Sequence, residues 1–81
     1  MSAAGVAVVA RHAWLRQTVL AALELRPHGA SLSDVQRATG ALRREVATTL
    51  RCLRPRVQQV WRYSRGIPRP LYRDTATPDE L

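Results

Sequence analysis

"SLSDVQRATGALRREVATTLRCL", residues 31–53, holds two helical signals separated by one glycine. Ser31 followed three residues later by Asp34 resembles a capping box with Asp in place of Glu, in which side chain and backbone satisfy each other's free groups at a helix start. Ser33 with Gln36 offers a second register, so the start falls within two residues. Leu32, Val35 and Ala38 recur at helical spacing, and Gly40 breaks the run, which predicts a short helix over 32–39. Val46, Leu50 and Leu53 then fall at i, i+4 and i+7, predicting a third helix over 42–53 that Pro55 ends. Its polar side is left to Arg43, Arg44, Ala47, Thr48 and Arg51.

Working outward, Leu15, Val19, Ala22 and Leu23, with Leu20 beside them, predict an earlier helix over 11–26. Pro27-His28-Gly29 stops it, because proline disfavours helix in the residue before it. Residues 1–10 are small and weakly patterned, and extending that helix, pairing as a strand and fraying all remain open. Downstream stands "VWRYSRGIPRPLYRD", residues 60–74. Its flanks, 60–63 and 71–73, carry the β-branched and aromatic residues that strands favour. Gly66, Pro68 and Pro70 between them predict a stiff loop, since proline cannot donate to a sheet and glycine weakens one.

A short helix joined by a glycine turn to a basic helix is the helix-turn-helix arrangement. Residues 20–53 resemble the three-helix core of the winged helix-turn-helix family, and residues 60–74 resemble its wing. The implied fold is mainly α with a β-hairpin wing: three helices followed by a two-stranded antiparallel hairpin. The domain would cover 11–74, with 1–10 as an N-terminal extension and 75–81 as a tail. The family resemblance implies a small regulator of bacterial or phage type that binds double-stranded DNA. Helix 42–53 would enter the major groove, and the 64–70 wing would lie on the backbone or in the minor groove. Leu42 departs from the pattern, because a polar cap usually opens the reading helix.

Charge supports the same reading. The net charge is +7 and all 13 basic residues are arginine. Residues 42–73 hold nine arginines and one acid, Glu45, while three of the six acids fall in the last eight residues. A field so concentrated suits a polyanionic partner. Arg43 and Arg44 sit in the first turn of the reading helix, where base edges are met, and arginine pairs with the O6 and N7 of guanine. Ala47 and Thr48 lie one turn on and suit a thymine methyl, and Arg51 suits a phosphate. In the hairpin, Arg65 and Arg69 would meet the minor groove or backbone, and Arg62 and Arg73 phosphates. A solvated basic surface is the plain alternative for each. Trp61, Tyr63 and Tyr72 interleave with arginines as in single-strand binders, but packing of a thin hairpin explains them more simply. Trp14 suits either core or a dimer contact.

Catalysis is not legible. His12 and His28 are a helix apart, and neither keeps a metal or catalytic spacing with Cys52. Cys52 reads as a small, semi-buried helix residue, although nearby arginines would favour its thiolate. One cysteine permits no internal disulfide, and no glycine-rich phosphate loop or carboxylate pair occurs. Neither Tyr63 nor Tyr72 has acid/base partners for nucleophilic attack on DNA. No cofactor, metal or small-molecule ligand is expected. The apolar run 3–10 is far short of the ~20 residues of a membrane span and lacks a secretory signal's basic flank. The expectation is a cytoplasmic, nucleoid-associated protein acting as a homodimer or as a subunit of a larger complex. A winged helix used as a protein-interaction module, as adaptor or inhibitor of a nucleic-acid enzyme, is the competing reading.

Overall fold

Five elements follow one another in the computed structural model, which describes residues 3–76: α1 (Ala3–Glu24), α2 (Leu32–Thr39), α3 (Arg43–Cys52), β1 (Val57–Ser64) and β2 (Ile67–Asp74). Three helices therefore precede an antiparallel hairpin, the architecture of a helical domain with a β-hairpin wing. Met1, Ser2 and residues 77–81, which include most of the expected tail and the acids Asp79 and Glu80, lie outside the described residues.

The short helix forms where its caps require. Ser31 Oγ accepts the Asp34 N–H at 3.1 Å, and Asp34 Oδ2 accepts the Ser31 N–H at 3.1 Å, so the first capping register is the one used. Gly40 ends α2 with φ 71°, donating its N–H to the Gln36 carbonyl at 2.8 Å. Glycine takes this left-handed conformation without a steric penalty. Thr39 reinforces the turn, its hydroxyl accepting the Ala41 N–H at 3.3 Å.

Leu15, Val19 and Leu23 of α1 pack with Val35, Val46, Leu50, Leu53 and Val57 in one core, and each such burial contributes roughly 1.5–3 kcal/mol. Ala38 is exposed, and Thr39 takes the inward place expected of it. This follows from α2 being only two turns long, which leaves little width to bury. α1 starts at Ala3, eight residues before its expected start; half of residues 3–10 are alanine, the best helix former, and no proline interrupts them, although Gly5 and three valines favour the helix less. Val8 and Val9 on this forward half are exposed, and the first core residue is Leu15.

The hairpin is clamped to the helices at its root. Ala30 and Tyr72 exchange N–H···O bonds of 2.9 and 2.7 Å, adding a one-residue strand beside β2. Arg73 Nε donates to the Pro27 carbonyl at 2.9 Å, tying the strand to the loop after α1. Asp74, 1% exposed, accepts two bonds of 3.2 Å from Arg56 and one of 3.0 Å from the Ala76 N–H. Burial alone would raise the Asp74 pKa, but the Arg56 and Ala76 hydrogen bonds and the charges of Arg56 and Arg73 outweigh it, and the net shift is downward.

Asp34 is likewise lowered by its Ser31 hydrogen bonds, and Glu45 falls to about 2 under the hydrogen bond from Arg11. Depressed carboxylates add stability above their unfolded pKa, near 4, and lose it as pH falls through the folded value. The melting temperature is therefore expected to drop as pH is lowered from about 5 toward 2. Asp74→Asn should flatten that dependence while lowering the melting temperature at neutral pH. A Tm with no acid dependence in the parent would remove the stabilising role of these three pairs.

Candidate nucleic-acid interface

Leu42 opens α3 in an extended conformation and is exposed, with no side-chain cap. Glu45 supplies what it lacks: Oε1 accepts the Leu42 N–H at 3.2 Å. The same carboxylate accepts Arg11 Nε at 2.7 Å and Nη2 at 2.9 Å, a bidentate pair that ties α1 to the first turn of α3. Arg11 also lies over the Trp14 ring, 5.6 Å from its centroid, so the exposed Trp14 belongs to this strut and not to the core. The pair has an electrostatic consequence. The one acid of α3 is paired with a residue from another helix and, of the arginines on α3, feels only Arg44 strongly enough to lower its pKa, so it offsets little of their field.

Arg43, Arg44, Thr48 and Arg51 are exposed on α3, and Ala47 is half-buried. Ala47 and Arg51 line a small cleft of about 120 Å³ between α3 and the hairpin, with Arg54, Gln59 and Tyr72. Arg54 joins the site here, one turn beyond Arg51, a spacing visible in the sequence but not weighed there. On the α1 side, Arg44 and Thr48 border a groove of about 440 Å³ with His12, Arg16 and Cys52. Cys52 is exposed, not semi-buried, because the last turn of α3 projects it toward that groove. No cluster of metal-ligating side chains exists among the described residues.

The wing differs from its expected form. Its turn is Arg65-Gly66, with φ of 53° and 78°, a two-residue connection between Ser64 and Ile67. Two positive φ angles mark the type whose twist matches paired strands. Pro68 and Pro70, expected in the loop, lie within β2. Hydrogen-bonded and non-bonded pairs alternate along an antiparallel ladder. Starting from Ser64↔Ile67, the pairs Tyr63↔Pro68 and Trp61↔Pro70 are non-bonded, as is Gln59↔Tyr72, whose Tyr72 N–H turns outward to Ala30. Each proline thus occupies a position where β1 asks for no donor, and toward the turn β1 runs one residue and β2 four residues further than expected.

Alternation assigns the two faces. Arg62 and Arg69 stand directly opposite each other on one face, exposed and without an ion pair among the described residues. Like charges so placed are destabilising, and no acid among the described residues pairs with either. Trp61 and Tyr63 share the other face with Pro70 and Pro68, and at 58% and 76% exposure they are not core. Only Tyr72, nearer the root, packs against the core. Arg73 is half-buried and held by Pro27, so it braces the root of the wing and is not displayed with Arg62, Arg65 and Arg69.

Arg65 is the one non-glycine residue with positive φ among the described residues, a conformation costing roughly 1–2 kcal/mol. Asparagine tolerates it better, and Asn-Gly is the favoured pair for such a turn. Arg65→Asn is therefore expected to raise the melting temperature while weakening nucleic-acid binding. An equal or lower melting temperature would show that the turn stores no strain.

No protein-family model, curated protein or solved structure matches this chain.

Proposed function

We propose that the chain is a winged helix-turn-helix protein that binds double-stranded DNA, with α3 as reader and the hairpin as wing, and that it serves in transcriptional regulation. The observation carrying this reading is that Arg43, Arg44, Arg51, Arg54, Arg62, Arg65 and Arg69 are exposed without ion pairs among the described residues. Asp34, Glu45 and Asp74, by contrast, are each engaged by arginines within the fold. A surface stabilised only by solvation would distribute its acids among those arginines. Arg43 and Arg44 in the first turn of α3 suit base edges, and Arg51 at its last turn suits phosphate.

The test is substitution read on two DNAs. After selection of a preferred site from random duplex, Arg43→Ala or Arg44→Ala should remove roughly 1–3 kcal/mol of discrimination between that site and random DNA. Arg51→Ala should weaken both about equally, because a phosphate carries no base identity. An even loss for all three would remove α3 as the reader. Absence of duplex binding at low salt would favour the protein-interaction reading, in which the same arginines meet an acidic protein surface.

A further inference from the structure

Trp61 and Tyr63 pose a problem that duplex binding does not solve. They are two residues apart on one strand and so point to the same face, each exposed by more than half. Pro70 and Pro68 stand across from them in non-bonded pairs, the closer kind of cross-strand neighbour. The result is a four-residue apolar strip beyond the part of the hairpin that packs on the helices. At its root this face continues into Gln59 and Tyr72, which border α3. An exposed aromatic pair on a hairpin adds little to folding, and the core here is complete without it.

We propose that this strip is a stacking platform for unpaired nucleotides, which seats flipped or single-stranded bases beside the duplex held by α3. The inference rests on reading the basic surface as a nucleic-acid surface. Two properties of the hairpin have to be met by one ligand. Arg65 at the tip, with Arg51 and Arg54, which border the root of this face beside Gln59 and Tyr72, suits a polyanion, while Arg62 and Arg69 stand on the opposite face. The strip requires flat apolar faces. Unpaired nucleic acid carries both on one chain, whereas a duplex hides its base faces in the stack and an acidic peptide offers charge without them. The spacing also fits. Two residues along a strand span ~6.8 Å. That is twice the ~3.4 Å separation of successive nucleotides in a stack, so one base fits between the two rings. Prolines opposite hold the strand stiff, so little order has to be acquired on binding.

The experiment compares a blunt duplex with the same duplex carrying a single-stranded tail of roughly six thymidines, a length within one stacking site. Both are titrated with the parent, with Trp61→Ala, with Tyr63→Ala and with the double variant. The parent should bind the tailed duplex about 5- to 150-fold more tightly, the effect of stacking a base on an aromatic ring. Either alanine should reduce that preference, the double variant should abolish it, and blunt-duplex affinity should stay unchanged. In a Trp14→Phe background, addition of oligothymidine should quench the fluorescence of Trp61. Because both side chains are exposed, thermal melts of the variants should overlay that of the parent.

A tail that adds nothing, or a preference that survives the double substitution, overturns the platform and leaves duplex reading untouched. Tight binding of the tailed DNA alone, dependent on the aromatics, upholds the platform and overturns duplex reading. Binding of neither DNA overturns both. A changed sedimentation coefficient in the double variant, with the tail preference intact, would make the strip a contact between copies and overturn the platform.

Discussion

Duplex affinity of a dimer of this domain is expected to fall by ~10³–10⁵ when salt is raised from about 50 to 200 mM. The figure comes from the exposed arginines. Of the seven on α3, the turn after it and the hairpin that make no ion pair among the described residues, Arg43 and Arg44 are the two proposed for bases, which leaves five for phosphates in each protomer. Each neutralised phosphate releases condensed counterions and adds about −0.9 to the slope of log affinity against log salt. Five contacts give a slope near −4.5 and ten a slope near −9, so the titration also counts the protomers on one site. Arginine keeps its charge at any accessible pH, so the slope should not depend on pH between 6 and 9, to order of magnitude. A slope near zero would mean that the basic surface does not meet a polyanion at all.

The second large effect concerns Gly29, in the loop between α1 and α2. Its φ of 114° lies where side chains are strained, and a Cβ placed there would come within 2.9 Å of Leu71 Cβ. Gly29→Ala therefore combines a backbone penalty of ~1–3 kcal/mol with a steric one of similar size. Together they approach the whole stability of a small domain, on the order of 5 kcal/mol. Relief would push β2 away from the loop and break the exchange of hydrogen bonds between Ala30 and Tyr72. The expected outcome is a chain unfolded or nearly so at 37 °C, seen by thermal melt and by loss of the upfield-shifted core methyl signals. Gly66→Ala makes a useful comparison: φ there is 78°, but no atom lies within 4 Å, so only the backbone penalty applies. If the two glycines prove equally tolerant, the packing of Leu71 on the loop contributes little.

The helices were legible because their signals are local. The Ser31–Asp34 box and Gly40 bracket α2 at 32–39, and Pro55 closes off α3 after its apolar i, i+4 series. The start of α1 was not legible, since residues 3–10 offer neither a cap nor a polar stripe from which to date it. The hairpin misled for a different reason. Excluding proline from strands is a rule about donors, and Pro68 and Pro70 sit where no donor is asked for; only the register, set by Arg65-Gly66, reveals this. Trp61 and Tyr63 were read as packed because aromatics bury well. A two-stranded hairpin, however, has a far half with nothing to pack against. Arg73 and Arg69 look alike in sequence, and only the position of the Pro27 carbonyl separates a brace from a displayed charge.

The clamps at Ala30, Pro27 and Arg56 all grip the last three residues of β2 or the residues facing them. Beyond Leu71, which packs on Gly29, the two strands hold only each other. Mechanically the wing is a cantilever, built in at one end and loaded at the other. The four residues of β2 beyond that contact span roughly 13 Å, so a tilt of about 10° at the support carries the Arg65-Gly66 tip through ~2–3 Å. That travel is a sizeable fraction of the ~6 Å width of a minor groove. On the duplex proposed for it, such an arm would follow changes in groove width by bending at its support, while the helices beneath it stay seated and no core contact is exchanged.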